Sequence, residues 1–303
     1  MYDIIIVGGG PAGISAGIYA RRAGKSTLVI ERAALGGQMT YSPKIENYPA
    51  MLSASGNELA EAMTDQLMQL GGEFEFDEVT RISDNGEYKT VVTTDNEFSA
   101  RAVILANGVK HRMLGIEGED ELVGSGISFC AVCDGAFYRD RDVAVVGGGN
   151  SAMQEALLLS EVCRTITVVQ NLSGFTGEKR LAEALEAKSN VKAVFNTVVE
   201  GFVTSDGVLK GIKVNNAETG EKGEIACDGV FVAIGLAPEN GAFGSLVPLD
   251  DRGYYAAGED CTTPTRGLFV AGDCRAKKIR QITTAVADGA VAALAACAYI
   301  DNR

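Results

Sequence analysis

The sequence predicts an α/β protein built from two Rossmann-like (three-layer ββα) nucleotide-binding domains, the second inserted into the first. A strand that runs into a glycine-rich turn, Asp3–Gly10, recurs as Asp142–Gly149. Each copy is followed further along by an apolar strand that ends in glycine, Val103–Gly108 and Val230–Gly235. The chain then continues with another strand and an alanine-rich helix, whose apolar pattern suits packing on the first domain's sheet.

Both halves of the chain show the same order of elements. Each has a strand, a glycine turn, a helix, a second strand and a β-meander. Turns at Asn85-Gly86, Asp206-Gly207 and Thr219-Gly220 mark the meanders. The predicted segments are strands Asp3–Val7 and Thr27–Ile30, the alternating stretch Tyr88–Ala100, strands Asp142–Val146 and Thr165–Val169, the meander Val191–Cys227, strand Leu268–Ala271 and a helix from Gln281 to Ile300.

The insertion divides the chain into three segments. Residues 1–114 are expected to begin the first domain, residues 115–241 to form the second domain, and residues 242–303 to complete the first. We expect hinges near Leu114–Gly118 and Pro238–Gly244, because both stretches contain Gly or Pro.

The amino-acid composition argues against several classes of protein. A formal net charge of −13 argues against nucleic acid or a membrane as main partner, because both select basic surfaces. No apolar run approaches the ~20 residues that span a bilayer, and the chain opens on a strand, so we expect no signal peptide and a cytoplasmic protein. Seven irregularly spaced cysteines do not suit a secreted disulfide framework. Most of the following are expected to be buried, inert thiols: Cys163, Cys227, Cys261, Cys274 and Cys297.

The stretch Cys130–Gly135 carries the most specific chemistry. Two thiols at this spacing can close a small disulfide, in which one sulfur attacks outward and the other resolves. Asp134 follows the pair directly and can move the proton that each thiolate loses or regains. Half of a zinc site is the alternative, but zinc takes about four ligands. The chain has only one histidine, His111, and no second Cys-x-x-Cys.

The first glycine turn predicts a dinucleotide site. Gly8 permits the tight turn, Gly10 lets the backbone approach a pyrophosphate, and Gly13 lets helix and strand pack closely. The N-terminus of the following helix supplies N–H donors to the phosphates. Glu31, at the end of the next strand, can accept a ribose hydroxyl. A glycine turn without a ligand is the alternative.

The second glycine turn repeats the fold without the usual specificity residues. Gly147, Gly149 and Ala152 form the fingerprint, but the position that matches Glu31 is Gln170. Residues 170–176 contain neither an acid for a ribose hydroxyl nor an arginine for a 2′-phosphate. The turn is therefore either a dinucleotide site of altered specificity or a retained scaffold that no longer binds one.

Near the C-terminus, Gly272 and Asp273 follow a strand and precede the long helix. An aspartate there can hold a ribityl hydroxyl, and a helix N-terminus aimed at a flavin stabilises negative charge on the reduced ring. The alternative is a simple helix cap.

Together these motifs resemble low-molecular-weight thioredoxin reductases over nearly the whole chain. The resemblance implies bound FAD in the first domain, a homodimer, and a rotation of the second domain that presents nicotinamide and disulfide to the flavin in turn. It further implies that Cys133 faces the flavin, Cys130 attacks the partner disulfide and Asp134 donates the proton. The matching segments are Gly8–Gly13, Gly36–Gln38, Glu46–Pro49, Ala106–Gly108, Cys130–Gly135, Gly147–Ala152, Phe231–Gly235, Ala271–Asp273 and Arg280-Gln281.

The resemblance also implies the residues that bind cofactors. Those expected at FAD are Gly8, Gly10, Pro11, Ala12, Gly13, Glu31, Gly36, Gly37, Gln38, Asn47, Val79, Ala106, Asn107, Gly108, Gly272, Asp273, Arg280, Gln281 and Ile282. Those of a residual nicotinamide site are Gly147, Gly149, Asn150, Ser151 and Ala152.

The sequence departs from the family in two places. The basic His-Arg-Arg motif and later Arg that hold the NADPH phosphate are here Gln170–Leu172 and Thr176. A basic run also lies beside the flavin motif, in which Lys277 and Lys278 are either a solvated helix entry or a dock for an acidic electron donor.

We therefore predict a flavin-dependent thioredoxin-disulfide reductase that passes electrons from reduced FAD through Cys130–Cys133 to thioredoxin or a thioredoxin-like protein. Ferredoxin is expected as donor slightly ahead of NADH, and both ahead of NADPH; reduced deazaflavin is a further option. Two other interpretations stay open: a dithiol oxidase of the same fold that acts on a small molecule, and a non-catalytic flavoprotein redox sensor.

Overall fold

The computed structural model describes residues 1–42 and 45–302, and the chain folds into two compact units. The first unit contains Met1–Thr40, Glu46–Lys110 and the chain from Ala237 onward. The second contains His111–Leu236 together with Tyr41, Ser42 and Ile45. Apart from the short excursion around Tyr41 to Ile45, the chain passes between the units after residues 110 and 236, slightly before the hinges expected from the sequence.

The first unit has one mixed sheet, numbered here along the whole chain. It consists of β1 (Tyr2–Val7), β2 (Thr27–Glu31), β3 (Glu73–Phe76), β4 (Val79–Asp84), β5 (Lys89–Thr93), β6 (Glu97–Leu105) and β17 (Leu268–Val270). The strand order is β3-β2-β1-β6-β5-β4, and β17 also pairs with β6. The pairs among β3, β2, β1, β6 and β17 are parallel, whereas β4 and β5 form an antiparallel hairpin. Ile4, Ile5 and Ile6 of β1 are fully buried, as expected where both faces of a sheet are covered.

The described part of the first unit also has three helices: α1 (Pro11–Arg22), α2 (Gly56–Gln69) and α7 (Ile282–Asp301). Helices α1 and α7 pack on the sheet, and α2 packs on α1. Helix α7 packs closely on α1, where Ser15 Oγ donates a hydrogen bond to Val286 O over 2.8 Å. A Cβ atom at Gly289 would lie 2.1 Å from Ala12 O, so only glycine allows this approach. By length and composition α7 could cross a membrane, which corrects the expectation that no segment could. Its buried residues, including Asp288, are instead those of a helix packed inside the first unit.

The second unit contains a parallel sheet and a separate antiparallel one. The parallel sheet, in the order β11-β10-β9-β15-β8, consists of β8 (Ile127–Ser128), β9 (Asp142–Val146), β10 (Thr165–Val169), β11 (Val191–Val194) and β15 (Gly229–Val232). The antiparallel sheet consists of β12 (Thr197–Ser205), β13 (Val208–Asn216) and β14 (Lys222–Ala226). The helices are α3 (Glu119–Leu122), α4 (Ala131–Asp134), α5 (Asn150–Ser160) and α6 (Lys179–Glu186).

The remaining elements are short. Strands β7 (Lys110–His111) and β16 (Leu236–Ala237) lie at the two crossings, and 3-10 turns occur at Gly37–Tyr41, Gly135–Tyr138, Gly241–Phe243 and Gly272–Cys274. Strands β9 and β10 have the predicted bounds, and the predicted terminal helix begins and ends one residue later than expected.

Candidate functional site

The two neighbouring cysteines form a disulfide at the start of α4. Cys130 and Cys133 are joined, with their Cα atoms 5.3 Å apart, so the predicted redox pair is confirmed as a disulfide. Cys130 caps the helix, and its sulfur accepts the backbone N–H of Cys133 over 3.2 Å. Val132 between them is 52% exposed. The five other cysteines are free and buried, as expected.

Asp134 lies behind the disulfide as a buried acid. Its side chain is 7% exposed, and its Oδ2 atom accepts the Ser128 hydroxyl over 2.6 Å. Its Oδ1 atom has no hydrogen-bond partner among the described residues. Burial raises the pKa of Asp134, although the Ser128 hydroxyl works in the opposite direction. A carboxyl that holds its proton at higher pH than usual suits the expected proton donor.

Sequence reasoning missed two residues at this centre. Ser128 ends β8 and also accepts the backbone N–H of Cys130 over 3.1 Å, so one hydroxyl joins the disulfide turn to the acid. Glu155 on α5 lies close to Ala131, the residue between the sulfurs that begins α4. A serine two residues before the first cysteine was a readable signal, whereas the position of Glu155 depends on how α5 packs.

The first glycine turn has the shape that a dinucleotide requires. Gly8 has a φ of +108°, and a Cβ atom there would lie 2.4 Å from Ala106 O. A Cβ atom at Gly13 would lie 1.8 Å from Gly8 O. Gly10 differs, because its nearest neighbour would be the Cα of Gly37 at 4.0 Å. Gly8 and Gly13 are therefore needed by the fold, whereas Gly10 borders open space at the N-terminus of α1, where a pyrophosphate fits.

Glu31 holds this turn in place. One carboxylate oxygen accepts the Gly9 N–H over 2.7 Å, and the other accepts the Ala33 N–H over 2.9 Å. A carboxylate has about four acceptor positions, so lone pairs remain for a ribose hydroxyl. Gly36 joins the same group, since its N–H donates to Gly9 O over 2.8 Å.

Asp273 is a half-buried acid in the 3-10 turn that follows β17. It does not cap α7, because the N-cap is Gln281, which forms a capping box with Thr284. The alternative of a simple helix cap is therefore wrong. Its Oδ1 atom lies 3.0 Å from Lys277 Nζ but makes no hydrogen bond of good geometry. Burial raises the pKa of Asp273, which Lys277 opposes.

The other predicted FAD residues also lie in the first unit. A Cβ atom at Gly272 would be 2.7 Å from the Cβ of Ala12, which brings the Asp273 turn to the N-terminus of α1. Asn47 Nδ2 donates to Gln281 Oε1 over 3.2 Å, and Asn107 Nδ2 donates to Asn240 Oδ1 over 2.9 Å. Pro11 and Ile282 begin α1 and α7, Val79 begins β4, and Ala106 and Gly108 follow β6. The Gln38 amide donates a hydrogen bond to Val109 O, and the Arg280 guanidinium stacks over the Tyr254 ring.

The predicted donor dock at Lys277 is wrong. The Lys277 side chain is 5% exposed, and its Nζ atom lies 3.0 Å from Asp273 and 3.2 Å from Asp288. Arg275 is also buried and binds both carboxylate oxygens of Asp288, over 2.9 and 2.8 Å. These two cations are themselves buried and are paired with Asp273 and Asp288, which is why they cannot present charge to a partner. Lys278 is exposed.

The loop that follows β10 contacts one side of the second glycine turn, at Gly148. Gly147 has a φ of +129°, and Gly149 borders open space as Gly10 does. Gln170 is 4% exposed, and a Cβ atom at Gly148 would lie 2.4 Å from its Nε2. Its amide already donates to Gly174 O over 3.3 Å and accepts the Asn171 N–H over 3.1 Å. Gln170 therefore points into its own loop.

The loop that follows Gln170 also reaches the start of α5. Asn150 Oδ1 accepts the Glu178 N–H over 2.7 Å, and Asn150 Nδ2 lies 3.4 Å from Glu178 Oε1. A Cβ atom at Gly177 would lie 2.2 Å from Asn150 Oδ1. Asn150, Ser151 and Ala152, predicted as a residual nicotinamide site, thus begin a helix whose N-terminal end is contacted by a loop that carries an acid.

A disulfide beside a buried acid in one unit, and a dinucleotide turn in the other, define a class of redox flavoprotein. The chain belongs to the pyridine nucleotide-disulphide oxidoreductase family, whose sequence profile matches residues 2–289. Within that family it groups with the low-molecular-weight thioredoxin reductases and is an FAD-binding oxidoreductase. The predicted family, fold class and cofactor are therefore confirmed.

Named relatives support this placement. The thioredoxin reductase of Listeria monocytogenes is 39% identical over 302 residues, covering 100% of this chain and 95% of that protein. The thioredoxin reductase of Treponema pallidum is 40% identical, covering 99% and 98%. The crystal structure of thioredoxin reductase from Streptococcus pyogenes, 39% identical, superposes with a TM-score of 0.94 and covers 100% of this chain and 99% of that one.

Proposed function

We propose that this protein is a thioredoxin-disulfide reductase, which passes electrons from reduced FAD through Cys130–Cys133 to thioredoxin or a thioredoxin-like protein. The observation that carries the proposal is the disulfide at the start of α4 with buried, hydrogen-bonded Asp134 beside it. In this proposal the first unit is the FAD-binding domain, and the second is the disulfide-containing, nicotinamide-type domain. When bound, FAD supplies the two electrons that open the disulfide.

The residues of the first unit would hold the cofactor. Gly10 leaves space for the pyrophosphate at the N-terminus of α1, and Glu31 offers acceptors to the adenosine ribose. Asp273 has a carboxyl oxygen without a well-formed hydrogen bond, which suits a ribityl hydroxyl. The Lys277 ammonium beside Asp273 and Asp288 partly balances the buried charge there.

The exchange with the partner uses the two sulfurs in sequence. The Cys130 thiolate attacks the partner disulfide, forms a mixed disulfide and releases one partner thiolate. The Cys133 thiolate then attacks Cys130, restores the internal disulfide and releases the second partner thiolate. The partner gains two electrons and two protons. Cys130 caps α4, and the N–H groups at a helix start favour a thiolate.

Asp134 supplies one of those protons. Its buried carboxyl is held beside the disulfide turn by Ser128, which also binds the Cys130 N–H. Because burial raises its pKa, a larger fraction of Asp134 is protonated near neutral pH than for an exposed aspartate. It can therefore protonate a departing thiolate and recover its proton from a Cys thiol in the next cycle.

The electron donor is proposed to be other than NADPH. A 2′-phosphate would find no cation on residues 170–178, whose only charged side chain is Glu178. Gln170 turns into its own loop and is not free to bind a ribose. We rank ferredoxin or another low-potential donor slightly above NADH, and both above NADPH. The burial of Lys277 removes the charge argument for ferredoxin, so the ranking depends on residues 170–178, which lack a cation and hold Gln170 in its own loop.

One experiment tests both parts of the proposal. The purified flavoprotein is mixed anaerobically with NADPH, NADH, reduced deazaflavin or reduced ferredoxin, and flavin bleaching is followed with and without oxidised thioredoxin. Ferredoxin or NADH should bleach the flavin, and thioredoxin should reoxidise it with release of thiols. Rapid reduction by micromolar NADPH would overturn the donor ranking alone, whereas a reduced flavoprotein that never reduces thioredoxin would overturn the reductase.

The oligomeric state and the cellular location of the protein are further proposals. We infer a homodimer in the cytoplasm, as the family resemblance and the cysteine pattern imply. Light scattering of the purified protein would show a mass twice that of the 31.7 kDa chain. The dithiol oxidase and the non-catalytic sensor are not favoured, because the named full-length relatives are reductases.

A further inference from the structure

Glu155 lies on the face of α5 that approaches the disulfide turn. Helix α5 packs against α4, and its residues Ala156 and Leu159 share a buried apolar cluster with Ala131. A Cβ atom at Gly135 would lie 3.2 Å from Leu159, so the turn and the helix are in close contact. The carboxyl group of Glu155 is therefore held beside the redox centre by the core of the second unit.

The Glu155 carboxyl has little to stabilise a charge. Its Oε2 atom is buried and has no hydrogen-bond partner among the described residues. Among the described residues, the backbone N–H of Ala131, the first residue of α4, favours its ionised form. Burial dominates and raises the pKa of Glu155 to about 8. A buried carboxylate without a counter-charge is costly, so the group is neutral at pH 7.

Within the part of the chain that the structure describes, no charged neighbour accounts for the raised pKa of Glu155. Burial and the Ala131 N–H are the two causes that act on the pKa of Glu155. Strand β10 packs on α5 and carries no charged residue. The charged groups on the other elements packed against α5 are Asp134 on α4, Asp142 on β9, and Lys179, Arg180, Glu183 and Glu186 on α6.

We propose that Glu155 keeps a protonated, neutral carboxyl beside Ala131 when the Cys130–Cys133 disulfide opens, and so couples proton uptake to the reduction of that disulfide. Reduction breaks the S–S bond and adds two electrons to the two sulfurs. A sulfur that remains a thiolate is a new negative charge near the start of α4, and a like charge disfavours the ionised form of a neighbouring carboxyl. The reduced protein therefore holds the Glu155 proton to higher pH than the oxidised protein does.

This gives a specific proton balance. Well below pH 8, Glu155 is mostly neutral in both redox states and takes little part in the proton balance. Above it, the oxidised protein has lost the Glu155 proton, and reduction draws one from water back onto the carboxyl. The inference rests on the proposed disulfide chemistry, but it requires neither a particular donor nor thioredoxin.

The test compares the disulfide equilibrium of the holoenzyme with that of Glu155→Gln, which is close in shape and does not titrate. Each protein is equilibrated in dithiothreitol redox buffers from about pH 7 to about pH 9.5, and thiols are trapped with a maleimide for mass analysis of the Cys130–Cys133 peptide. Above pH 8 the equilibrium constant of the wild type should change by up to an additional factor of ten per pH unit compared with that of Glu155→Gln. This factor corresponds to about 30 mV per pH unit for two electrons.

Two controls keep the result specific. Glu186→Gln removes an exposed acid from α6 and should follow the wild type. Glu155→Leu removes the titrating group in a second way and should match Glu155→Gln, which covers the case in which one variant does not fold. Asp134 is present in all four proteins, so its titration cancels. A steep wild-type limb that persists in either Glu155 variant, or its absence from the wild type, would overturn the inference. A separate thioredoxin assay reports on the proposed function.

Discussion

The Ser128 hydroxyl binds Asp134 and Cys130 at once. It donates to Asp134 Oδ2 over 2.6 Å and accepts the Cys130 N–H over 3.1 Å. The acid is therefore oriented by the same strand end that fixes the disulfide turn. Burial raises the pKa of Asp134, and this hydroxyl partly opposes that effect and so lowers the protonated fraction of the acid.

Replacing Asp134 tests its role as the proton donor. Asp134→Asn should slow thioredoxin reduction by ~10²–10⁴, the range of a lost general acid. FAD content should be unchanged, since Asp134 lies in the second unit. The measurement is the single-turnover rate of the pre-reduced enzyme with thioredoxin. A loss of less than about threefold would be too small for a general acid.

Removing the Ser128 hydroxyl should move the pH profile. The protonated fraction of Asp134 falls as pH rises through its raised pKa, so the rate should decline on the alkaline side. Ser128→Ala removes a bond that lowers this pKa, and the decline should shift to higher pH. The same single-turnover assay across pH measures the shift. A shift to lower pH would contradict the assigned direction of the hydrogen bond's effect.

The two cysteines should fail in different ways. Cys133→Ser and Cys130→Ser should each abolish thioredoxin reduction, because the exchange needs both sulfurs. Both proteins should keep FAD and remain reducible by dithionite. Thiolate–flavin charge-transfer absorbance is expected in Cys130→Ser, where Cys133 remains. Turnover in either variant at the wild-type rate would rule out the exchange mechanism.

Substitutions at Gly10 and Gly13 should affect different properties, FAD binding for Gly10 and stability of the fold for Gly13. Gly10→Val should give a folded apoprotein that does not bind FAD, since its side chain enters the space beside the start of α1. Gly13→Ala should destabilise the protein itself, because its Cβ would lie 1.8 Å from Gly8 O. The readouts are FAD absorbance after reconstitution and thermal unfolding of each apoprotein. Normal FAD binding by Gly10→Val would show that the pyrophosphate lies elsewhere.

Lys277 and Lys278 are neighbouring lysines, of which the first has a buried side chain and the second is exposed and serves as its control. Lys277→Met leaves Asp273 and Asp288 with one cation fewer and should cost about 3 kcal/mol of unfolding free energy, as for a broken buried pair. Lys278→Met changes an exposed side chain and should cost less than about 0.5 kcal/mol. Denaturant unfolding measures both. Equal effects would mean that Lys277 is not buried in solution.

The fold and the disulfide were readable because their signals are local. The Ile4–Ile6 run, the glycine spacing and Cys130–Cys133 each specify their own structure within a few residues. Lys277 was misplaced because its partner Asp288 lies on another element, and sequence alone does not show that the two meet. Glu155 was missed for the same reason: its burial is set by the packing of α5 on α4.

The chain enters and leaves the second unit at neighbouring points, so the inserted segment could be replaced as one piece. Arg112 N–H donates to Gly235 O over 3.0 Å, so the two ends of the inserted segment lie side by side. Such a segment can be exchanged for another without stretching its host, since a short loop would rejoin the cut ends. Exchange of this segment would therefore replace the disulfide and the second glycine turn together, while the strands and helices of the first unit stay as they are.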